Sequence, residues 1–393
     1  MSDWKEFKLG EIAEINMGQS PESRYYNIKG EGLPFLQGNR TFGLRHPSFD
    51  TYCTDPKKIA KRGEILFSVR APVGDINIAT TEICIGRGLA SLKSKFDNNV
   101  YLFYLLHYIK REIINNESGT VFGSVNKIDL ENIKVLIPDI NEQNEIAEIL
   151  SSLDDKIDLL HRQNKTLEQI AETLFRQWFV EEAEEGWEVE KLGEVAVVQN
   201  GYAFRSKDYV TYQEGHLEVL KMGHIAVGGG LRTNPKKDFV PREEKLKKWT
   251  LNKNDIIMGM TDMKDNVVIL GVPAIIDKSE KYVLNQRVAR IYLKTNEKLL
   301  NCYLLYIQLN NKDFISTLQS KANSGVQVNL STEEIRNCEI LIPPMELQKD
   351  MGNTIADLFM KKDNNLMQIR TLTKLRDSLL PKLMSGEVRV FKK

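Results

Sequence analysis

The chain has 393 residues, of which 41% are hydrophobic and 27% charged, and its 54 basic and 54 acidic side chains leave no net charge. This length favours two or three domains, and the composition excludes a largely disordered chain. There is no run of about 20 apolar residues and no charged-then-apolar leader, so we expect a soluble, cytoplasmic protein without a membrane segment. The cysteines (Cys53, Cys84, Cys302 and Cys338) lack C-x-x-C spacing, which argues against a zinc site or a disulfide framework.

The first 138 residues have the pattern of a strand-rich globular unit. Residues 65–69 and 76–79 flank an Ala-Pro-Val-Gly-Asp turn, and this arrangement predicts a β-hairpin. Residues 100–115 collect their apolar side chains on one helical face, which predicts a packed amphipathic helix.

Residues 141–182 contain neither proline nor glycine and carry a heptad repeat. Five heptads of a and d positions predict a coiled-coil helix that packs along a second helix, and a core helix of a bundle is the alternative. Asn164 is the strongly polar residue of this seam, and it suits the choice of register more than stability. The seam residues are Ile146, Leu150, Leu153, Ile157, Leu160, Asn164, Leu167, Ala171, Leu174 and Trp178.

The opening of the chain recurs 183 positions later. Trp4, Leu9, Gly10 and Glu11 return as Trp187, Leu192, Gly193 and Glu194. Ile137-Pro138 with Gln143 is likewise echoed by Ile342-Pro343 with Gln348. A period near 200 residues is too long for a solenoid, so the sequence indicates a tandem duplication of a globular unit followed by a long helix.

The second copy is predicted to repeat the elements of the first. Residues 255–260 and 266–269 take the place of the hairpin, and residues 281–293 form another strand-rich run. Residues 300–309 take the place of the packed helix.

The two long helices carry net charges of opposite sign. Residues 139–183 contain 4 basic and 11 acidic residues, whereas residues 344–393 contain 10 basic and 6 acidic residues. An antiparallel pairing would set the polar seam residues of the second helix against groups such as Asp154 and Asp158. Those polar seam residues are Lys362, Asn365 and Arg376. We therefore predict an α/β (α+β) fold in which two globular mixed domains are separated by two long helices, packed as an antiparallel coiled coil with pseudo-two-fold symmetry.

Motifs that carry catalysis are missing from the sequence. It has no phosphate-binding loop, no dinucleotide-binding glycine motif, no H-E-x-x-H and no G-x-S-x-G. The five histidines have no metal-ligand spacing, and no Asn-Pro-Pro-Tyr-like tetrad of an amino-methyltransferase occurs. We expect no catalysis by this chain alone, no cofactor and no metal.

The duplicated Trp-x4-Leu-Gly-Glu openings, the two Ile-Pro-x4-Gln helix entrances and the stretch Asn285-Gln286-Arg287-Val288 resemble the specificity subunit of type I restriction–modification enzymes. The resemblance covers essentially the whole chain. It implies that residues 1–138 and 184–343 are target-recognition domains, each reading one half of a bipartite DNA sequence. Residues 139–183 and 344–393 would be the helical spacers.

The same resemblance implies the partners and the role. The partners would be double-stranded DNA, two methyltransferase subunits docked on the helices, and restriction (motor-nuclease) subunits that join the complex. The chain would be the non-catalytic specificity subunit of a DNA adenine methyltransferase and endonuclease. Because the two copies differ in sequence, the two half-sites should also differ, about one helical turn (~34 Å) or more apart. A stand-alone DNA-binding regulator and a coiled-coil scaffold without DNA contact are the alternatives.

Base-reading side chains are expected on polar turns, because Arg, Lys, Asn and Gln make bidentate contacts to base edges. The candidates of the first domain are Gln37, Asn39, Arg40, Ser68, Arg70 and Arg87. The candidates of the second domain are Lys221, His224, Thr261, Lys264, Asn285, Gln286 and Arg287. Solvated surface polarity is the alternative for each, and residues 285–287 could instead serve the fold.

Two further groups are candidates for contacts outside base reading. A basic cluster beside Trp249 suits DNA phosphates, which give affinity without sequence preference, and a solvated charged loop is the alternative. Its lysines are Lys236, Lys237, Lys247 and Lys248. At the end of the first long helix, Phe175, Trp178 and Phe179 are too many for one seam. We expect them to meet a partner or the other unit, with a packed helix end as the alternative.

Overall fold

The computed structural model describes residues 4–115, 124–183, 187–232, 235–263, 267–294, 298–299, 301–324 and 327–390. The chain forms two compact units. Unit 1 combines residues 1–159 with residues 368–393, and unit 2 consists of residues 160–367. The functional divisions expected after residues 138, 183 and 343 stay a prediction.

The chain alternates short strands with helices, and two of the helices are much longer than the others. The strands of unit 1 are β1 (Lys5–Lys8), β2 (Ala13–Met17), β3 (Tyr26–Asn27), β4 (Leu33–Leu36), β5 (Tyr52–Cys53), β6 (Ile59–Ala60), β7 (Ile65–Ser68), β8 (Ile76–Ile78), β9 (Ile83–Ile85), β10 (Leu89–Ser94) and β11 (Lys134–Ile137). The strands of unit 2 are β12 (Glu188–Lys191), β13 (Ala196–Asn200), β14 (Leu217–Leu220), β15 (Phe239–Val240), β16 (Ile256–Gly259), β17 (Thr261–Met263), β18 (Pro273–Ile275), β19 (Tyr282–Leu284), β20 (Val288–Leu293), β21 (Asn323–Ser324), β22 (Gln327–Asn329) and β23 (Glu339–Ile342). The helices are α1 (Leu9–Ile12), α2 (Asn99–Asn115), α3 (Lys127–Glu131), α4 (Ile140–Arg176), α5 (Leu192–Val195), α6 (Cys302–Leu309), α7 (Lys312–Lys321), α8 (Thr332–Arg336) and α9 (Met345–Met384).

Unit 1 is organised around a four-stranded antiparallel sheet with the strand order β2-β10-β7-β8. Strands β7 and β8 pair antiparallel with Ile65 opposite Ile78, which confirms the first predicted hairpin. The apolar side chains of α2, including Leu102 and Leu106, pack with this sheet into one buried core. A second sheet, β3-β5-β4-β9-β6, contains the parallel pair β4 and β9.

Unit 2 repeats these features in its own sequence. Its four-stranded sheet has the order β13-β20-β16-β18, the same succession as in unit 1. A three-stranded sheet, β15-β14-β19, contains the parallel pair β14 and β19. Helix α6 is buried along nearly its whole length, and Tyr303 stacks on Phe359 of α9 with ring centroids 5.0 Å apart. The duplication expected from the sequence is therefore present in the topology of each unit.

The second predicted hairpin is wrong in its return strand. Strand β16 pairs antiparallel with β18, so the chain returns at Pro273 and not at residues 267–269, and Asn266 lies outside the described residues. Within the described residues of that segment, the backbone N–H groups of Val268 and Ile269 donate to the Asp262 carboxylate at 2.7 and 2.6 Å. A backbone whose N–H groups converge on one carboxylate has none of them available for a strand ladder.

In unit 1, the segments of α4 and α9 lie antiparallel. Arg376 Nη1 of α9 donates to Asp154 Oδ1 of α4 at 2.6 Å. Arg389, which follows the end of α9, donates to both carboxylate oxygens of Glu142, near the start of α4, at 2.6 and 2.8 Å. Trp4 Nε1 also donates to Glu142, at 3.1 Å. The ion pair recorded for Asp158 is with Arg45, at 3.1 Å, and not with one of the polar seam residues of α9 as expected.

In unit 2, the other segments of the same two helices also lie antiparallel. Lys362 forms an ion pair with Glu168 at 2.5 Å, and Asn365 Nδ2 donates to Asn164 Oδ1 at 2.9 Å. Most apolar residues of the heptad seam, among them Ile157 of unit 1 and Leu167 of unit 2, are buried, and Leu153, Leu174 and Trp178 are half-buried. The predicted antiparallel pairing of the long helices is thus confirmed inside each unit.

None of the helices in the described part of the chain combines the length and the apolar character needed to cross a membrane. No three His, Cys, Asp or Glu side chains among the described residues are grouped so as to hold a metal ion. The four cysteines are free thiols.

Candidate nucleic-acid interface

The first candidate interface lies where the parallel strands β4 and β9 end side by side. Leu36 pairs with Ile85, so residues 37–40 and 86–88 leave the sheet at the same edge. Gly86 N donates to Leu36 O at 2.8 Å, and Gly88 N donates to Gln37 O at 3.0 Å. The order of the strands in the sheet thus brings together two loops that are about 50 residues apart in sequence.

Glycine is required where these two loops touch. A Cβ atom on Gly86 would lie 2.5 Å from Gln37 Oε1, and one on Gly88 would lie 2.5 Å from Gln37 O. The Gln37 amide also donates to Ser20 Oγ at 2.8 Å, and the same hydroxyl accepts a hydrogen bond from Arg87 N at 3.3 Å. Ser20, which the sequence did not single out, therefore connects both loops.

The turn of the β7–β8 hairpin joins the same edge. Val69 N donates to Gly88 O at 2.9 Å, and Asn39 Nδ2 donates to Asp75 Oδ2 at 2.6 Å. Ser68 is buried and its hydroxyl is used within the turn, where it donates to Pro72 O at 2.8 Å. We name residues 18–20, 37–40, 69–75 and 86–88 loop cluster 1.

The arginines of loop cluster 1 differ in what they bind. Arg40 forms a two-pronged ion pair with Asp50, at 2.9 and 2.7 Å. Arg70 and Arg87 are exposed, and neither guanidinium has a hydrogen-bond or ion-pair partner among the described residues. Gln37 is exposed as well. Loop cluster 1 therefore presents two guanidinium groups and the Gln37 amide to solvent from loops whose backbones are hydrogen-bonded to each other.

Unit 2 assembles a second set of loops in the same way. Strands β14 and β19 pair in parallel with Leu220 next to Leu284, and Asn285 N donates to Leu220 O at 3.1 Å. Gln286 N donates to Tyr202 O at 3.0 Å, and Met260 N donates to Arg287 O at 3.0 Å. We name residues 201–202, 221–224, 260–262 and 285–287 loop cluster 2.

The polar side chains of loop cluster 2 divide into exposed and internal ones. Gln286 and Arg287 are exposed, and their side chains have no partner among the described residues. Asn285 is buried and accepts a hydrogen bond from Arg287 N at 3.2 Å, which is a role in the fold. Thr261 Oγ1 donates to Met222 Sδ at 2.7 Å. Lys221 pairs with Asp238 at 2.7 Å.

His224 does not lie at the surface, contrary to what a DNA contact requires. His224 is 2% exposed, and its Nδ1 atom accepts a hydrogen bond from Lys221 N at 3.2 Å. Nε2 therefore carries the proton and donates to Glu218 Oε1 at 3.1 Å. Burial raises the pKa of the Glu218 carboxyl, but the His224 hydrogen bond and the Lys281 charge outweigh burial and hold that pKa below its usual value. His224 thus fixes the loop of residues 221–224 from inside.

The basic cluster near Trp249 is less basic than its lysines suggest. Lys247 pairs with Glu244 at 3.2 Å, and Lys248 lies over the Trp249 ring. Lys236 and Lys237 are exposed, and their ammonium groups have no hydrogen bond or ion pair with the described residues. Trp249 packs on Tyr202 of loop cluster 2, with ring centroids 5.0 Å apart, so the cluster borders that interface.

The aromatic residues at the end of α4 belong to the core of unit 2. Phe179 is 4% exposed, stacks on Phe175 at 5.0 Å and meets Trp187 edge to face at 5.5 Å. Trp178 packs against the same core. Phe179 is thus buried with residues of the second globular copy, and a contact of these aromatic residues with a partner protein stays a prediction. Lys264 lies outside the described residues.

A family model described as the type I restriction modification DNA specificity domain matches residues 1–169 and again residues 184–374. The chain belongs to this family. Two matching segments in one chain agree with the internal duplication of sequence and topology, and the resemblance inferred from the sequence is confirmed. The protein is thus a DNA specificity subunit of a type I restriction–modification system, in preference to a stand-alone regulator or a scaffold without DNA contact.

Relatives extend over the full length of this specificity subunit. It is 25% identical to the type I restriction enzyme MjaIX specificity subunit of Methanocaldococcus jannaschii over 99% of this chain and 94% of that protein. It is 24% identical to the HindI specificity subunit of Haemophilus influenzae, over 99% and 100% of the two chains. A putative MjaX specificity subunit of M. jannaschii is 44% identical over 42% of this chain and 40% of its own length, so the chain matches less than half of that relative.

A solved structure shares the fold. The S subunit of a type I restriction–modification system from M. genitalium aligns with a TM-score of 0.61 over 97% of this chain and 96% of that one, at 17% sequence identity. The mixed fold with long helices predicted from the sequence is therefore confirmed. The family and these relatives are named for specificity and not for catalysis.

Proposed function

We propose that loop clusters 1 and 2 each read one half of a bipartite, asymmetric site in double-stranded DNA, and that the chain itself catalyses no reaction. The proposal is carried by guanidinium groups that have no partner among the described residues. Those of Arg87 in unit 1 and Arg287 in unit 2 lie on loops that follow a strand of a parallel pair, and that of Arg70 lies in the β7–β8 turn beside the first of these loops. Arginine pairs with guanine O6 and N7, and glutamine with adenine N6 and N7.

The two clusters differ in chemistry, which supports an asymmetric site. In the loop after β9, the central residue of loop cluster 1 is Arg87, whereas the central residue after β19 in loop cluster 2 is Gln286. After β7, Arg70 stands where Thr261 stands after β16. Because arginine favours guanine and glutamine favours adenine, the half-sites read by the two clusters should differ in base composition.

The helices α4 and α9 are proposed as the docking surface for two methyltransferase subunits, with restriction subunits joining through the complex. Apolar side chains remain exposed along both helices, among them Leu159 and Ile170 of α4 and Met360 and Met367 of α9. Exposed apolar side chains of this kind suit a protein interface. Methyl transfer to a base requires the base to leave the stack, so the catalytic partners need placement close to each half-site.

The test is the effect of single substitutions on each half of the recognition motif. Mapping methylated adenines in cells that express the chain with its partners identifies the motif. Arg87→Ala should relax discrimination at one half-site and Gln286→Ala at the other, each by about 1–3 kcal/mol for a bidentate base contact. Replacing residues 1–138 with those of another family member should change the same half-site as Arg87→Ala.

Arg62→Ala is the matched control for the arginine substitution. Arg62 is exposed, has no side-chain partner among the described residues, and precedes β7, whereas Arg70 follows the other end of that strand. The Arg62→Ala variant should leave the methylated motif unchanged. The proposal would be contradicted if the Arg87→Ala and Gln286→Ala variants methylated the same motif as the wild type, with unchanged base preference at both half-sites.

A further inference from the structure

The loop that follows residues 37–40 continues as a closed excursion of the backbone. Phe42 N donates to Asn39 O at 3.0 Å, and Gly43 N donates to His46 O at 3.1 Å. Ser48 N donates to Thr41 O at 2.9 Å and closes the excursion. Residues 41–48 are therefore joined to loop cluster 1 through Asn39, and the position of one fixes the position of the other.

Strand β8 holds this excursion at its far end. The buried Asn77 side chain donates to Gly43 O at 3.1 Å and accepts from Gly43 N at 3.2 Å. Ile78 N donates to Arg45 O at 2.8 Å. These bonds fix the backbone of the excursion on both sides of its turn and aim one long side chain, that of Arg45, away from the sheet.

The Arg45 guanidinium reaches α4 within unit 1. Its Nη1 lies 2.6 Å from Asp155 Oδ1 and 3.1 Å from Asp158 Oδ2, and its side chain is 15% exposed. Burial disfavours the charged form, but the Asp155 hydrogen bond outweighs it, so the pKa of Arg45 is raised. The neighbouring Asp154 binds the Tyr104 hydroxyl at 2.7 Å, so this helix face is a fixed array of carboxylates.

We propose that Arg45 is a positioning residue that braces loop cluster 1 on helix α4 through Asp155 and Asp158. The inference rests on the proposed function, because it assigns a role in base discrimination to a side chain that touches no base. Recognition groups must be held within about 0.5 Å of their productive geometry, and hydrogen bonds from behind the site supply that constraint. Without the brace, the hydrogen bonds to Asn77 and Ile78 alone hold residues 41–48, and a shift of these residues reaches Asn39 through its hydrogen bond with Phe42 N.

The test uses the full chain assembled with its methyltransferase partners. Competition binding compares the cognate duplex with duplexes that carry a mismatch in one half-site. Arg45→Ala should reduce the ratio of the affinities for cognate and mismatched DNA about tenfold when the mismatch lies in the half-site that Arg87→Ala also affects. The ratio for a mismatch in the other half-site should be unchanged. The double variant Asp155→Asn with Asp158→Asn removes the same brace from the helix side and should give the same one-sided loss.

Two matched variants separate positioning from a general effect on folding. Arg45→Lys keeps a cation beside Asp155 and should recover part of the discrimination, and Arg62→Ala should resemble the wild type. Unchanged discrimination in a folded Arg45→Ala complex would overturn the proposal, as would an equal loss at both half-sites together with a lower melting temperature. A wild-type complex without discrimination at either half-site would instead refute the proposed function.

Discussion

Arg70 and Arg87 have no carboxylate partner among the residues that the structure describes. Arg40, in the same loop cluster, is held by Asp50 in a two-pronged pair. An arginine in such an ion pair must break the pair before its guanidinium can bind DNA. An arginine without a carboxylate partner binds DNA without this cost. The unpaired arginines are therefore the ones whose full interaction energy is available to a base or a phosphate.

Asp262 supplies a prediction about acid stability. Its carboxylate accepts backbone hydrogen bonds from Met263, Val268, Ile269 and Leu270. Burial raises its pKa, but these bonds outweigh burial and hold the pKa below the ordinary value. A lowered folded pKa stabilises the protein above the ordinary pKa of about 3.9, and this contribution is lost as the pH falls through the folded value.

Asp262→Asn should lower the free energy of unfolding by about 1–2 kcal/mol at pH 7, because it weakens several charge-assisted hydrogen bonds. Urea denaturation at pH 7 and at lower pH measures this difference from the wild type. The difference should narrow as the pH falls below about 4, since the carboxyl takes up a proton first in the unfolded chain and then, at its lowered pKa, in the folded protein. Glu214→Gln, at an exposed position in the same unit, should cost nothing at either pH. A constant penalty for Asp262→Asn at all pH values would contradict this account.

Residue types and the positions of glycines in the sequence were enough to name candidate DNA-contacting positions. They could not separate exposed candidates from buried side chains that support the loops. Gln37, Arg87 and Gln286 are exposed, whereas Ser68, His224 and Asn285 are buried. The role of Ser20 and Arg45 arises from contacts with residues 17 and 110 positions away. Such contacts depend on the strand order, which a local pattern does not contain.

At the scale of elements, the buried pair Asn164 and Asn365 sets the register of α4 and α9 within unit 2. Asn365 donates to Asn164 at 2.9 Å, while Asn164 Nδ2 is buried and finds no partner among the described residues. A layer with an unsatisfied amide favours one alignment of the helices at the expense of stability.

Asn365→Leu should lower the free energy of unfolding by about 1–3 kcal/mol, because it leaves the Asn164 amide buried without a partner. The double variant Asn164→Leu with Asn365→Leu should be more stable than the wild type, since both buried polar groups are replaced by apolar ones. Chemical denaturation of the three proteins measures both effects. A double variant as unstable as the single one would show that this pair contributes net stability.

Helical elements could be predicted from the sequence more fully than the strand pairings. The heptad seam, sustained over five repeats, predicted α4 closely because each turn adds the same signal. The second hairpin failed because Asp262 draws the backbone of residues 268–270 around its carboxylate, and the return strand is the short β18. A single side chain that binds backbone N–H groups overrides weak strand propensity.

At the scale of the whole molecule, zero net charge means that affinity for DNA must come from local groups, and its salt dependence should reflect them. Lys236 and Lys237 are exposed, and their ammonium groups form no hydrogen bond or ion pair with the described residues. Replacing both with Gln should reduce the slope of log affinity against log salt concentration by about 2, if each contacts one phosphate.

The matched control replaces Lys245 and Lys247 with Gln. These lysines are already paired with Glu243 and Glu244 at 2.7 and 3.2 Å, so their removal should change the slope less. Binding measured between about 50 and 200 mM salt covers the range in which counterion release dominates. Equal changes for the two double variants would remove Lys236 and Lys237 from the proposed phosphate contacts.

The composition of unit 1 from two separate stretches of chain has a consequence for biosynthesis. Unit 2 is continuous in sequence. In unit 1, by contrast, the ion pair between Glu142 and Arg389 can form only after the C-terminal stretch has been synthesised. A ribosome delivers residues 368–390 after all of unit 2, and domains otherwise fold in the order in which they emerge. The unit whose first residues are translated earliest is therefore the last to be completed.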